Sequence, residues 1–241
     1  MNFITKIGIK DNINKNEYPY NIPILKNFKD LIIDEPVTFF VGENGSGKST
    51  LLEGIAVACG LNPEGGSENF NFSTNETHSV LYKDLIVSKS WRKINTKYFL
   101  RAESFYNVAT EVESFLDDGK PFTSHGSKSL HFSSHGEAFM QLIENRFWSK
   151  GLYFLDEPES ALSPLKQMRL LVLINELVKN GSQFIIATHS PILLSYPGAI
   201  IYDFDDNLNK VNYMDTEHFK LYKLFLNNPE LMLKRLFEDN D

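Results

Sequence analysis

No feature of this chain restricts its fold as strongly as Gly42-Glu-Asn-Gly-Ser-Gly-Lys48-Ser49, which satisfies the spacing G-x-x-x-x-G-K-[ST]. It follows the apolar run Val37-Thr-Phe-Phe-Val41, bounded by Pro36 and Gly42, which predicts a buried strand. It opens residues 49–58, whose Leu-Leu-Glu-Gly-Ile-Ala-Val-Ala pattern predicts a helix ended by Gly60 and Pro63. Strand, glycine loop and helix together are the context in which this motif holds phosphate. The glycines let the backbone wrap an anion with several N–H groups facing inward, and the helix adds its positive end. Gly42, Glu43, Asn44, Gly45, Ser46, Gly47, Lys48, Ser49 and Thr50 are therefore the candidate nucleotide-binding residues. Lys48 is expected to reach the β- and γ-phosphates, the Ser49 hydroxyl to bind Mg²⁺, and Thr50 to help hold the α-phosphate side.

Composition narrows the setting of this loop. With 241 residues, 42% hydrophobic and 23% charged, the chain predicts one soluble globular domain or two small ones, without bulk disorder. The longest apolar stretch, around Leu170 and Ile174, falls well short of the ~20 residues that span a bilayer, and no secretory signal is visible. A single cysteine, Cys59, cannot form an internal disulfide or a Cys-based zinc cage. These features point to the cytoplasm and to no direct membrane insertion. The net charge of −7 opposes general neutralisation of a phosphate backbone, so nucleic acid is possible only as a local or partner-dependent contact and is not indicated.

Further along, residues 61–78 are rich in Asn, Ser, Gly, Glu and Thr and predict a surface insertion. Strands are expected at 80–87 and 97–101, a helix at 104–116 and a polar loop at 117–134. Then an alternation sets in: helix 136–148, strand 152–155, helix Pro164–Lys179, strands 184–187 and 199–202, and one or two closing helices over 216–238. Apolar strands separated by helices of this length predict a parallel sheet covered on both faces.

The second apolar strand ends abruptly in Asp156-Glu157-Pro158. A buried strand would deliver Asp156 to the carboxyl edge of the sheet, where it can hold Mg²⁺. Glu157, one residue on, is expected to act as general base on an attacking water.

Here the chain resembles the ATP-binding-cassette (ABC) class of P-loop ATPases, by the order of several motifs over almost its whole length. Ser133-Ser134-His135-Gly136-Glu137 resembles the cassette signature, Pro158-Glu159-Ser160-Ala161-Leu162-Ser163 resembles the D-loop, and Thr188-His189-Ser190 ends a strand where the family carries its switch histidine. The resemblance implies an α/β P-loop NTPase of ABC ATPase type: a mostly parallel sheet flanked by helices, an N-terminal antiparallel β portion, and a small helical subdomain at about 103–150 within a single domain spanning 1–241. It implies that Ser134, Gly136 and Glu137 meet nucleotide held by a second copy, that His189 assists catalysis beside Glu157 and Lys48, and that Glu103 contacts Mg²⁺ or water. His135 replaces the usual signature glycine and Ser163 a frequent aspartate, which bears on cross-dimer hydrolysis.

The expected function is Mg²⁺-dependent hydrolysis of ATP to ADP and phosphate in a head-to-tail homodimer that moves an unknown protein partner. The alternatives are an ATP-gated binding switch with little turnover, and the ATP-binding subunit of a transporter.

Overall fold

The computed structural model describes residues 2–67, 79–103 and 135–238. The chain opens with β1 (Ile4–Ile9), a short helix α1 (Pro23–Lys26) and β2 (Leu31–Ile32), and β3 (Val37–Val41) then leads into α2 (Lys48–Ala58). Next come β4 (Gly66–Ser67), β5 (Leu85–Lys89), β6 (Thr96–Arg101), α3 (His135–Arg146) and β7 (Gly151–Asp156). They are followed by α4 (Pro164–Lys179), β8 (Gln183–Ala187), α5 (Pro191–Leu194), β9 (Ile200–Asp203), β10 (Asn209–Lys210), α6 (Glu217–Asn227) and α7 (Pro229–Glu238).

Seven strands form one sheet in the order β10-β9-β3-β8-β7-β6-β4, while β2-β1-β5 form a separate antiparallel sheet. The five central strands of the large sheet run parallel, and its edges, β10 and β4, are antiparallel. The expected α/β architecture, with an N-terminal antiparallel portion, is therefore present.

Each central strand is apolar on both faces because both faces are covered. Phe40, Phe99, Phe154, Ile185 and Ala187 turn toward α2 and the small sheet, where they pack with Leu51, Leu52, Ile55, Ile4 and Ile7. Their neighbours Phe39, Tyr98, Leu100, Tyr153, Leu155, Phe184 and Ile186 face α3, α4 and α5, among Phe139, Ile143, Leu170, Ile174 and Leu193.

Register decides what this core presents. Arg101 pairs with Asp156, Asp156 with Ala187, Phe40 with Ala187, and Val41 with Asp203. Five parallel strands thus end on one line, and the turns after them open on the same edge, where ligands of open α/β sheets bind.

Several expectations need correction. Residues 80–87 are not one strand: Val80–Lys83 is a 3₁₀ turn, capped by the Ser79 hydroxyl accepting from Leu81 N, and β5 starts at Leu85. Leu81 and Leu85 lie four residues apart, and both pack over Gly54 of α2. The insertion predicted at 61–78 is in part structural, since Leu61 is buried and Gly66–Ser67 pairs with β6; residues 68–78 lie outside the described residues. So do the helix and loop expected over 104–134, which leaves α3 as the part of the helical subdomain that the structure describes. The C-terminal stretch forms two helices, but α6 and α7 bury no residue and close no core. Among the described residues, no helix is long and apolar enough to cross a membrane.

Candidate active site

The loop between β3 and α2 places Gly42, Gly45 and Gly47 at φ +142°, +82° and +102°. Two of these positions exclude a side chain for spatial reasons as well. A Cβ at Gly42 would lie 2.9 Å from Phe204 Cβ, and one at Gly47 would lie 3.0 Å from Ile22 Cγ2 and 3.1 Å from Ile24 Cγ2. Around Gly45 the space is open. The Ser46 hydroxyl is buried without a hydrogen-bond partner among the described residues. A buried polar atom of this kind calls for a ligand, and an anion in the loop would supply one. Glu43 N donates to Asp205 Oδ2 at 2.7 Å, tying the loop to the turn after β9.

Lys48 is only 4% exposed and folds back across the loop, where Nζ donates to Gly42 O at 2.8 Å and Glu43 O at 2.7 Å. Burial lowers its pKa, while Glu157, Asp205, Asp156 and Glu159 pull it back up. The ammonium is thus held where phosphate oxygens could replace two carbonyls.

Ser49 Oγ donates to Asp156 Oδ1 at 2.9 Å, which joins the start of α2 to the end of β7. Among the described residues no three His, Cys, Asp or Glu side chains cluster to hold a metal. A cation at Ser49 and Asp156 would complete its shell with phosphate oxygens and water, as Mg²⁺ does with one or two protein ligands. The donor set therefore fits Mg²⁺ together with a nucleotide. Burial pushes the Asp156 carboxyl up to about 6, opposed by Arg101 and by the Ser49 hydrogen bond.

Arg101 is one residue whose part sequence reasoning missed. It is no surface residue: Nη1 reaches Glu53 Oε2 at 2.9 Å, and Nε lies 3.5 Å from Asp156 Oδ2. The available signal was positional, because Arg101 ends the strand beside the one that Asp156 ends. Glu103, the expected metal contact, borders the same cavity of about 420 Å³ as Ser49, Asp156 and Glu157, but its carboxylate is 90% exposed and sits 3.9 Å from Arg101 Nη2.

Glu157 adopts φ +48°, uncommon for a side-chain-bearing residue. The turn is held by Glu157 N donating to Ala187 O at 2.9 Å. Its Oε1 lies 3.6 Å from Nε2 of His189, which stands after β8. A third carboxylate, half-buried Glu159, fixes that histidine's backbone, accepting from Thr188 Oγ1 at 2.8 Å and from His189 N. Burial raises the pKa of Glu159 and lowers that of His189; for the histidine, Lys48 and His218 add to the effect. Glu157, His189, Glu43 and Asn44 border a second cavity of about 310 Å³. The structure thus brings together the cradle, the Asp156–Glu157 pair and His189 from three separate stretches of chain.

Of the signature, the described Gly136 and Glu137 are not brought to them. Ser134 lies outside the described residues. Gly136 is buried in the first turn of α3, where a Cβ would lie 2.8 Å from Ala161 O, and neither Gly136 nor Glu137 borders the two cavities. A larger cavity, about 770 Å³, lies between α4, α5 and α6 and shares Glu159 and His189 with the site. Of the aromatic residues upstream of the cradle, Tyr20 is buried and donates to Asp84, while Tyr18 is exposed.

Comparison with known proteins agrees with this geometry. The "AAA domain" family profile matches residues 21–155, and a second profile, "AAA domain, putative AbiEii toxin, Type IV TA system", matches residues 134–195. A "Putative ABC transporter ATP-binding protein" of Bacillus thuringiensis subsp. konkukian is 27% identical over 187 residues, 72% of this chain and 33% of that protein. The chain thus spans about a third of the length of the first curated relatives it matches. The arginine transport ATP-binding protein ArtM of Bacillus subtilis is 23% identical, over 69% of this chain and 75% of ArtM. Among solved structures, cbiO1 from Clostridium perfringens, part of an ABC transporter complex, aligns with a TM-score of 0.45 at 19% identity, covering 87% of this chain and 90% of that one. The SMC head domain from Thermotoga maritima aligns at 0.42 and 16%, covering 84% and 94%. With a phosphate loop and a carboxylate pair meeting at the carboxyl edge of a parallel sheet, and with more than half its length matched by the profile, the chain belongs to the AAA domain family.

Proposed function

We propose that the chain hydrolyses ATP to ADP and phosphate with Mg²⁺, in a head-to-tail homodimer whose closure and release move a protein partner. The observation that carries this reading is the pairing of Ser49 Oγ with Asp156 Oδ1 at 2.9 Å, with Glu157 next in the chain and His189 Nε2 facing it at 3.6 Å. Cation site, base and donor then border one anion loop. Mg²⁺, when bound, supplies Lewis-acid polarisation of the phosphate oxygens. Gly42–Thr50 bind the phosphate chain, and Lys48 exchanges its loop carbonyls for the terminal phosphates. Glu157 accepts the proton of the attacking water, and His189 donates from Nε2 to the terminal phosphate. Ser134, with Gly136 and Glu137 in the first turn of α3, meets the nucleotide of the other copy.

Size exclusion of Glu157→Gln with and without ATP·Mg²⁺ tests both parts of the reading. The variant is expected to retain ATP and elute as a dimer, and Lys48→Ala to lose nucleotide binding and turnover together. A Glu157→Gln protein that hydrolyses ATP at the wild-type rate removes the base assignment.

A second reading, an ATP-gated switch with little turnover, is favoured by Ser163. It stands at the N-cap of α4, where the family often has aspartate, and makes no capping hydrogen bond through its side chain. Dimerisation on stoichiometric ATP without phosphate release would select it.

A further inference from the structure

The side chains assigned to the reaction so far come from the turns at the carboxyl edge of the large sheet or from the start of α3. His218 comes from elsewhere. It is the second residue of α6, and its Nε2 lies 3.0 Å from Nδ1 of His189, with the ring planes tilted by 55°. On the other side of the His189 ring, Nε2 is 3.6 Å from Glu157 Oε1 and is buried without a hydrogen-bond partner among the described residues.

Two imidazole nitrogens at this distance share one hydrogen, so one donates and the other accepts. Burial, with Lys48 and His218 nearby, holds His189 below the ordinary histidine range, which leaves the ring neutral at neutral pH and makes its tautomer matter. Were His189 the donor, its hydrogen would sit on Nδ1, and Nε2 would turn a bare lone pair toward the Glu157 carboxylate. With His218 as donor, His189 keeps its hydrogen on Nε2, where it meets negative charge. Electrostatics selects the second arrangement.

We propose that His218 is a positioning residue for His189: by donating from Nε2 to Nδ1 it fixes the ring's orientation and keeps the hydrogen on the nitrogen that faces Glu157 and the phosphate loop. The inference rests on reading His189 as the donor to the terminal phosphate. The first turn of α6 is anchored well enough for this role. Thr216 is buried, its hydroxyl accepts from Phe219 N at 3.3 Å and donates to Tyr213 O at 2.7 Å, and the Tyr213 and Phe219 rings pack at 4.7 Å.

The test uses the full chain labelled with ¹⁵N-histidine. A scalar coupling across the hydrogen bond is expected between His189 Nδ1 and His218 Nε2, with the hydrogen on His218. His218→Leu should abolish the coupling and lower kcat for ATP hydrolysis about tenfold to a hundredfold while KM stays within about twofold. His218→Gln, whose amide can donate from a similar position, should recover kcat to within about threefold and guards against a folding defect in the leucine variant. Absence of the coupling in the wild type, a hydrogen on His189 Nδ1, or an unchanged kcat in His218→Leu overturns the inference. His189→Ala separates the two levels. If it turns over at the wild-type rate, the reading of His189 itself has failed; if it loses turnover while His218→Leu does not, only the role of His218 has failed.

Discussion

The carboxyl edge of the seven-stranded sheet and the C-terminal helices α6 and α7 are both rich in large apolar side chains, and they use them in opposite ways. In β7 and β8 every residue is buried, and the polar groups that follow, from Asp156 to His189, are held by named partners. In α6 and α7 no residue is buried, and Leu226 and Phe237 are 71% and 70% exposed. A strand between two parallel neighbours has both faces covered by the sheet's helices, whereas a helix at the chain's end is covered only if another layer arrives. Apolar content therefore signals burial only where the topology supplies a cover. Among the described residues, the hydrogen bonds that tie α6 to the rest of the chain lie at its first turn, where His218 meets His189. A stiff edge carries most of the site, and one side chain comes from a far less enclosed element.

This contrast can be broken by measurement. Phe154→Ala deletes a fully buried ring between α2 and the sheet and should lower the unfolding free energy by about 3–5 kcal/mol in urea titrations. A loss near 1 kcal/mol would mean that the sheet is far less tightly packed than its burial implies.

A smaller effect is expected at Asp156, and it depends on pH. Its carboxyl is raised from 3.8 to about 6, chiefly by burial. Below pH 4 folded and unfolded chains both hold the proton. Between about pH 4 and 6 the folded state keeps a proton that the unfolded state has released, so this group's contribution to stability falls as pH rises, by up to ~3 kcal/mol at neutrality. Asp156→Asn should therefore stabilise the nucleotide-free protein by about 1–3 kcal/mol at pH 7.5, leave it nearly unchanged at pH 4, and abolish Mg²⁺-dependent turnover. Urea midpoints at the two pH values read the difference, and equal shifts at both would contradict the assigned cause.

The smallest effect belongs to the exposed helix. Leu226→Ala should change stability by less than about 0.5 kcal/mol. A loss comparable to that of Phe154→Ala would show that α6 is covered in solution and would cancel the contrast.

The two halves of the site differ in how far they could be read without coordinates. The cradle is contiguous, Gly42 to Thr50, so spacing alone locates it; Asp156 and Glu157 stand out at the end of an apolar strand, and His189 through the resemblance to the cassette class, which places a histidine after the next strand. Asp205 follows β9 in the same way and holds Glu43 N, yet no motif marks it. Arg101 ends its strand outside any motif, and only register sets it against Asp156 and Glu53. His218 carries no local signal: it stands 29 positions from His189, and only the path of the chain after β9 brings the two rings together. The strand expected at 80–87 is shortened at its start, where the Ser79 hydroxyl caps Val80–Lys83 as a 3₁₀ turn, and pairing with β1 begins only at Leu85.

By itself the sequence determined the phosphate loop, the parallel α/β class and the strand ends that carry the acidic pair, because glycine geometry and apolar periodicity act over a few residues. The tertiary structure decided what those strand ends meet: Ser49 on Asp156, Arg101 beside it, His189 between Glu157 and His218. Such contacts depend on strand order and register, which arise from the burial of both sheet faces at once and leave no trace in any short stretch of chain.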